Sequence, residues 1–212
     1  MYLPSLFIES RPEELHRIIR EHPLGMLVTN LPAGLEADHL PFLLDADHGP
    51  LGTLLAHVAR ANPVWHEVRD GDLVMVVFRG AQGYISPNWY PSKQETHRHV
   101  PTWNYEVVHA HGRIRVRDDE KFLRGVVGRL TRMHEADQPR PWRMSDAPAD
   151  YMSDMLAHIV GIEVELTRLE GKRKLSQNRE ARDFDSTVQA LESRGRQDLA
   201  QTMRRTKEPV ST

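Results

Sequence analysis

The sequence predicts a mainly β fold: a small antiparallel barrel, closed or split, with additional helices and a helical C-terminal tail. Three observations predict it. Short β-rich runs separated by turn signals begin at Leu24, a helical segment interrupts them near Pro63, and further alternating runs follow. About six strands in a chain of 212 residues leave many open edges unless the sheet closes or nearly closes on itself.

In chain order, Ser10 followed by Pro12 and Glu13 signals a helix start. The hydroxyl can accept from exposed backbone amides, and proline suits the first helical position. Leu15, Ile18 and Ile19 repeat at helical spacing, and Pro23 ends the run. From Leu24 the runs LGMLVTN, LEADHLPFLL, LGTLLAHV and LVMVVFRG, joined by tight turns, predict four strands in an antiparallel meander. Before the fourth, Asn62 caps a short helix with Pro63 at its first position and Val64, Trp65 and Val68 on one face. YEVVHAHGRIRVR and IVGIEVELTRLEG predict two more strands; Ile162, Val164 and Leu166 alternate with charges. Between these strands, residues 118–135 predict an amphipathic helix opening on Asp118, Asp119 and Glu120, and a second helix is expected near Tyr151–His158. Residues from Glu180 onward predict a polar helix, which divides the chain into a barrel domain, 1–180, and a tail, 181–212.

Composition excludes several chemistries. With no cysteine there is no disulfide, thiolate zinc site, iron–sulfur cluster or cysteine nucleophile. No G-x-S-x-G elbow, Walker loop or dinucleotide fingerprint occurs. The amino terminus, MYLPSLFIES, shows no charged leader, and no long apolar run appears, so the expectation is a cytoplasmic protein with no membrane partner. The net charge of −2 divides unevenly: residues 171–212 carry +4 and residues 1–170 carry −6. A mildly basic tail of mixed charge reads as a solvated helix more readily than as a nucleic-acid contact.

Twelve histidines include the pairs His97 with His99 and His109 with His111. On a strand the second pair faces one side and could chelate, but no recognisable ligand spacing completes it, and no metal is expected. Three clusters are denser: HVARANP at 57–63, GYISPNWY at 83–90 and VPTWNYEVVHAHG at 100–112. Each sets flat aromatics beside amides and hydroxyls, the combination that a planar ligand with a polar edge requires. The fourth is KRKLSQNR at 172–179, whose basic and amide donors before a helix suit either an anion or a plain helix cap.

In the order HLP, ARANP, GYISPNWY, VPTWNYEVVHAHG, VGIEVEL and KLSQNR, the chain resembles the PaiB family of FMN-binding negative transcriptional regulators. The resemblance spans residues 1–180 and weakens in the tail. It implies the FMN-binding split barrel related to the pyridoxamine-phosphate oxidases, a homodimer, and FMN as cofactor. Carried onto this chain, it implies flavin contacts from His39, His57, Arg60 and Asn62, from Ser86, Trp89, Tyr90, Trp103 and Asn104, and from Lys174, Gln177 and Arg179. The segment PSKQETHRHV at 91–100 is longer than the family's. It also implies a negative transcriptional regulator, although no helix-turn-helix or concentrated basic recognition helix accompanies it, so DNA enters as a partner by resemblance alone. Two other readings stay open: a flavin-dependent oxidoreductase acting on a small molecule, and a haem-binding barrel served by the many histidines. The sequence names no catalytic acid or base.

Overall fold

The computed structural model describes residues 1–208. In chain order the elements are β1 (Ile8–Glu9), α1 (Pro12–Glu21), β2 (Leu24–Leu31), β3 (Gly34–Pro41), β4 (Leu43–Asp45), β5 (Thr53–Ala59) and α2 (Val64–Glu67). They continue with β6 (Leu73–Ile85), α3 (Pro91–Thr96), β7 (Thr102–Arg117), α4 (Glu120–His134), α5 (Ala149–Ala157), β8 (Ile159–Lys174), α6 (Ala181–Glu192) and α7 (Gln197–Arg204). The chain forms two compact units. Unit 1 holds residues 1–18, 79–108 and 170 onward, and unit 2 holds residues 19–78 and 109–169. The long strands β6, β7 and β8 contribute residues to both.

In unit 2 the strands follow the order β3-β2-β6-β7-β8-β5-β4. The hairpins β2–β3 and β4–β5 are antiparallel, as the turn signals predict. The four-strand meander is not what forms: β5 pairs with β8, with His57 opposite Gly161, while β6 pairs with β2. The reason lies in the apolar run of β5, which is buried at nearly every position and so needs cover on both faces. Beside β8 it meets a strand that is equally buried, and Leu55 packs with Val126 and Leu130 of α4. Gly112 permits close packing of β7 on β8, since a Cβ there would lie 2.4 Å from the Glu165 carbonyl oxygen. The interrupting helix, α2, starts at Val64, one residue later than expected, and Asn62 Oδ1 accepts from the Val64 amide. α4 opens on Asp119, whose carboxylate accepts from the Phe122 amide at 2.8 Å.

In unit 1, β1 pairs with the end of β8. α6 and α7 are not one polar helix. Phe184, Val188, Leu191, Leu199 and Met203 turn inward and pack with Ala81, Ile85, Tyr90 and Leu175 in one core. Their spacing gives each short helix an apolar stripe that only a neighbour can cover. Beside that core lies a buried ionic cluster in which Arg173 reaches Glu9, Glu14 and Glu106, and Arg17 also reaches Glu106. No helix among the described residues is long and apolar enough to cross a membrane.

Candidate functional site

Eight of the twelve residues singled out by the sequence lie in unit 1 and four in unit 2, so each group is built within its own unit.

In unit 1 the segment KLSQNR is a turn held by its own side chains. Ser176 sits at φ 66°, left-handed backbone that a non-glycine residue adopts only when its surroundings hold it there. Gln177 clamps the turn: its Oε1 accepts from the Leu175 amide at 2.7 Å and its Nε2 donates to the Arg173 carbonyl at 2.5 Å. Asn104, buried at 1% exposure near the start of β7, donates to Ser176 Oγ at 2.9 Å and receives from it at 3.2 Å. Asn104 and Gln177 therefore shape the turn that presents Lys174 and Arg179.

Those two cations differ from their neighbours in one respect. Arg173 is buried among carboxylates, but Lys174 and Arg179 have no carboxylate partner among the described residues. Lys174 Nζ donates to Thr102 Oγ1 and, at 3.0 Å, to the Trp103 carbonyl. Burial holds its pKa below the usual lysine value, and the positive charges of Lys172 and Arg179 push the same way, against Tyr105. Arg179 lies over the Tyr90 ring, 4.7 Å from its centroid, with NH1 3.2 Å from His99 Nδ1. The Tyr90 hydroxyl is sealed from solvent beside Arg179 and Ser176, without a hydrogen bond of good geometry to either. Burial pushes its pKa up, opposed by Arg179. Two cations without a carboxylate partner in one unit form a donor set for an anion. Nearby in sequence, Ser86 Oγ caps the turn at 87–89, Trp89 packs on the unit 1 core beneath Arg194, and Trp103 is 49% exposed.

In unit 2 the picture is different. The Arg60 guanidinium grips Asp118 with two bonds, at 2.5 and 3.0 Å, and gives two further N–H groups to the carbonyls of Ala157 and Ile159. Asn62 donates to Asp38 at 2.6 Å, so both of its amide groups are committed to protein. His39 is exposed on β3. His57 faces a cavity of about 310 Å³ lined also by Leu130, His134, Glu135 and Trp142. Its Nδ1 is buried and without a partner, and desolvation holds its pKa below the usual histidine value. His109 and His111 stand on one side of β7 with ring centroids 6.4 Å apart, as their spacing predicts.

Sequence reasoning missed Ser92, Thr102 and Asp183, and read His99 only as half of a histidine pair. Residues 91–100, the segment longer than the family's, open with α3, and His97 ends that helix at φ 53°. Ser92 Oγ then bonds both Asp183 and His99. The only sequence signal was the proline before Ser92, which marks a helix start.

A family model described as "Putative FMN-binding domain" matches residues 1–168. The protein AN0679 of Emericella nidulans is 33% identical over 92% of this chain and 92% of its own. Protease synthase and sporulation protein PAI 2 of Bacillus subtilis is 28% identical over 91% of this chain and 90% of its own. Among solved structures, the flavocytochrome Anf3 of Azotobacter vinelandii superposes with a TM-score of 0.59 at 10% identity, covering 84% of this chain and 75% of that one. The FAD and heme binding protein of Mycobacterium smegmatis gives 0.55 at 17% identity, covering 86% and 79%. At these identities the structures speak for the fold alone, and the fold is the antiparallel split barrel with added helices expected from the sequence.

Proposed function

Because the chain belongs to the FMN-binding domain family, we propose that it binds FMN specifically and anchors the terminal phosphate in unit 1 on Lys174 and Arg179. The observation that carries this reading is the pair of partly buried cations without a carboxylate partner among the described residues, held by a turn that Ser176, Gln177 and Asn104 build. A phosphate dianion supplies the missing charge and several acceptor oxygens, and a guanidinium can meet it with two parallel bonds. No dinucleotide fingerprint is present to receive a pyrophosphate, so FAD should bind less well. When bound, the flavin supplies redox chemistry; the residues named here bind and orient it.

The other residues implied by the resemblance take roles that their surroundings allow. Trp103 of unit 1, which is exposed, is proposed to meet the flavin ring, with Trp89, Tyr90 and Ser86 around the anchor. His57 and the exposed His39 belong to unit 2, where the orphaned Nδ1 of His57 is proposed to meet a polar group of a ligand in that unit's own cavity. Arg60 and Asn62 have most of their donors on Asp118, Asp38 and backbone carbonyls, and we assign them to holding the cluster at 57–63 in shape.

The test is a pair of titrations. Arg179→Ala should weaken FMN by roughly ten- to a hundredfold, the loss of about 1.5–3 kcal/mol expected for a charged hydrogen bond, and leave riboflavin unchanged. Equal weakening of both ligands, or of neither, in a folded variant would overturn the anchor. Arg60→Ala should change FMN affinity less than Arg179→Ala.

A regulatory role is supported by the likeness to PAI 2 of Bacillus subtilis, whose name refers to protease production and sporulation. We propose that this chain does not recognise DNA on its own, because the +4 of residues 171–212 is not gathered on a helix face: α6 carries −2, α7 carries no net charge, and Lys172 and Arg173 are buried. Tight promoter binding by the purified protein at physiological salt would contradict this.

A further inference from the structure

A side-chain cluster that the flavin reading leaves unused lies against Arg179. Ser92 Oγ is 2.5 Å from Asp183 Oδ2, and the Ser92 amide donates to Asp183 Oδ1 at 3.1 Å. His99 Nε2 lies 2.8 Å from the same Ser92 Oγ, and Arg179 NH1 lies 3.2 Å from His99 Nδ1. All four residues belong to unit 1, and Ser92 and Asp183 are 3% and 1% exposed.

Serine, histidine and aspartate together invite a nucleophile reading, but the wiring runs the wrong way. An activated serine gives its proton to histidine, while the carboxylate holds the far side of the ring. Here a carboxylate, which only accepts, takes the single proton of Ser92, so Ser92 Oγ can only accept from His99. Nε2 must therefore carry the ring proton, and Nδ1 of the neutral ring is left with a lone pair. Arg179 has donors and no acceptor, and it fills that lone pair. The bonds run in one direction, from Arg179 to His99 to Ser92 to Asp183.

We propose that Ser92, His99 and Asp183 are positioning residues that fix the Arg179 guanidinium over Tyr90 with its remaining donors free for an anion. An arginine held by one N–H and stacked on a ring loses less freedom when the anion arrives than one waving in solvent. The relay also joins the first turn of α3 to the first turn of α6, so the segment 91–100 and the start of the tail act on the same guanidinium. The inference rests on the assignment of Arg179 to the phosphate.

The experiment measures FMN and riboflavin affinities for Arg179→Ala, His99→Phe, His99→Asn and Ser92→Ala, together with the ring nitrogen shifts of His99 in the unaltered protein. His99→Phe and Ser92→Ala should weaken FMN by roughly three- to tenfold, about the effect of one lost neutral hydrogen bond, with riboflavin unchanged. His99→Asn, whose Oδ1 can replace Nδ1 as the acceptor, should keep most of the affinity. The nitrogen shifts should report the Nε2–H tautomer. If Arg179→Ala weakens FMN while His99→Phe and Ser92→Ala do not, the positioning inference fails and the anchor stands. If Arg179→Ala has no effect, the anchor itself fails. An Nδ1–H tautomer in the unaltered protein overturns the relay whether or not any variant folds.

Discussion

Arg173 and Arg179 stand six residues apart in one basic run, yet their surroundings give them opposite work. Arg173 is surrounded by carboxylates, and its removal strands buried negative charge. Arg173→Met should therefore cost about 3–5 kcal/mol in urea unfolding, whereas Arg179→Ala should cost little stability and much FMN affinity. Glu9 belongs to the same cluster. Burial raises its pKa, but the hydrogen bonds of Arg11 and the charges of Arg11 and Arg173 outweigh burial and hold it below the usual carboxylate value. A carboxylate with a lowered folded pKa contributes stability that is complete above its unfolded value and is lost as pH falls through the folded value. His57, whose folded pKa is also lowered, adds to the loss on the acid side because the unfolded chain takes up its proton first. The urea midpoint should fall on acidification, and Glu9→Gln should flatten the acid limb of that curve. The sequence marked KRKLSQNR as an anion site or a cap but could not separate the two arginines. The partners of Arg173 include Glu9 and Glu106, which lie 164 and 67 positions from it, and no local spacing records that distance.

At the scale of elements, periodicity carried far. The alternation of β8, the acidic start of α4 and the apolar spacing of α1 each marked an element that forms within a few residues of its expected bounds. Pairing partners were less legible, because adjacency in sequence favours β5 beside β6 while burial on both faces favours β5 beside β8. The tail was misread for a related reason. Its charged residues dominate the composition, and the few apolar positions matter only once a partner surface exists. Phe184→Ala and Leu199→Ala should each cost about 2–5 kcal/mol, as expected for cavities in a packed core, and a solvated tail would show almost no change in the same unfolding experiment. Gly112→Ala should also destabilise strongly, since the new Cβ meets backbone oxygen rather than a side chain that can move aside.

At the scale of the molecule, we propose a homodimer. Tyr84, Val100 and Trp103 of unit 1 and Leu24, Leu35 and Leu73 of unit 2 leave apolar surface exposed, of the kind that interface cores bury. Light scattering at micromolar concentration should return about twice the chain mass of 24.4 kDa, and the chain mass itself would contradict the dimer. The division at residue 180 into a barrel domain and a tail is likewise a proposal, tested by whether residues 1–180 fold alone with Ala81, Ile85, Tyr90 and Leu175 uncovered. Fold and family were legible from motif order, while the site was legible only as a set of residue types, because burial and counter-charge decide which cations are free. Whether FMN is the bound cofactor is decided by the absorption spectrum of protein purified without added cofactor, followed by mass identification of what acid releases from it. A flavin spectrum and FMN are expected; a Soret band without flavin, or FAD in place of FMN, would overturn the assignment.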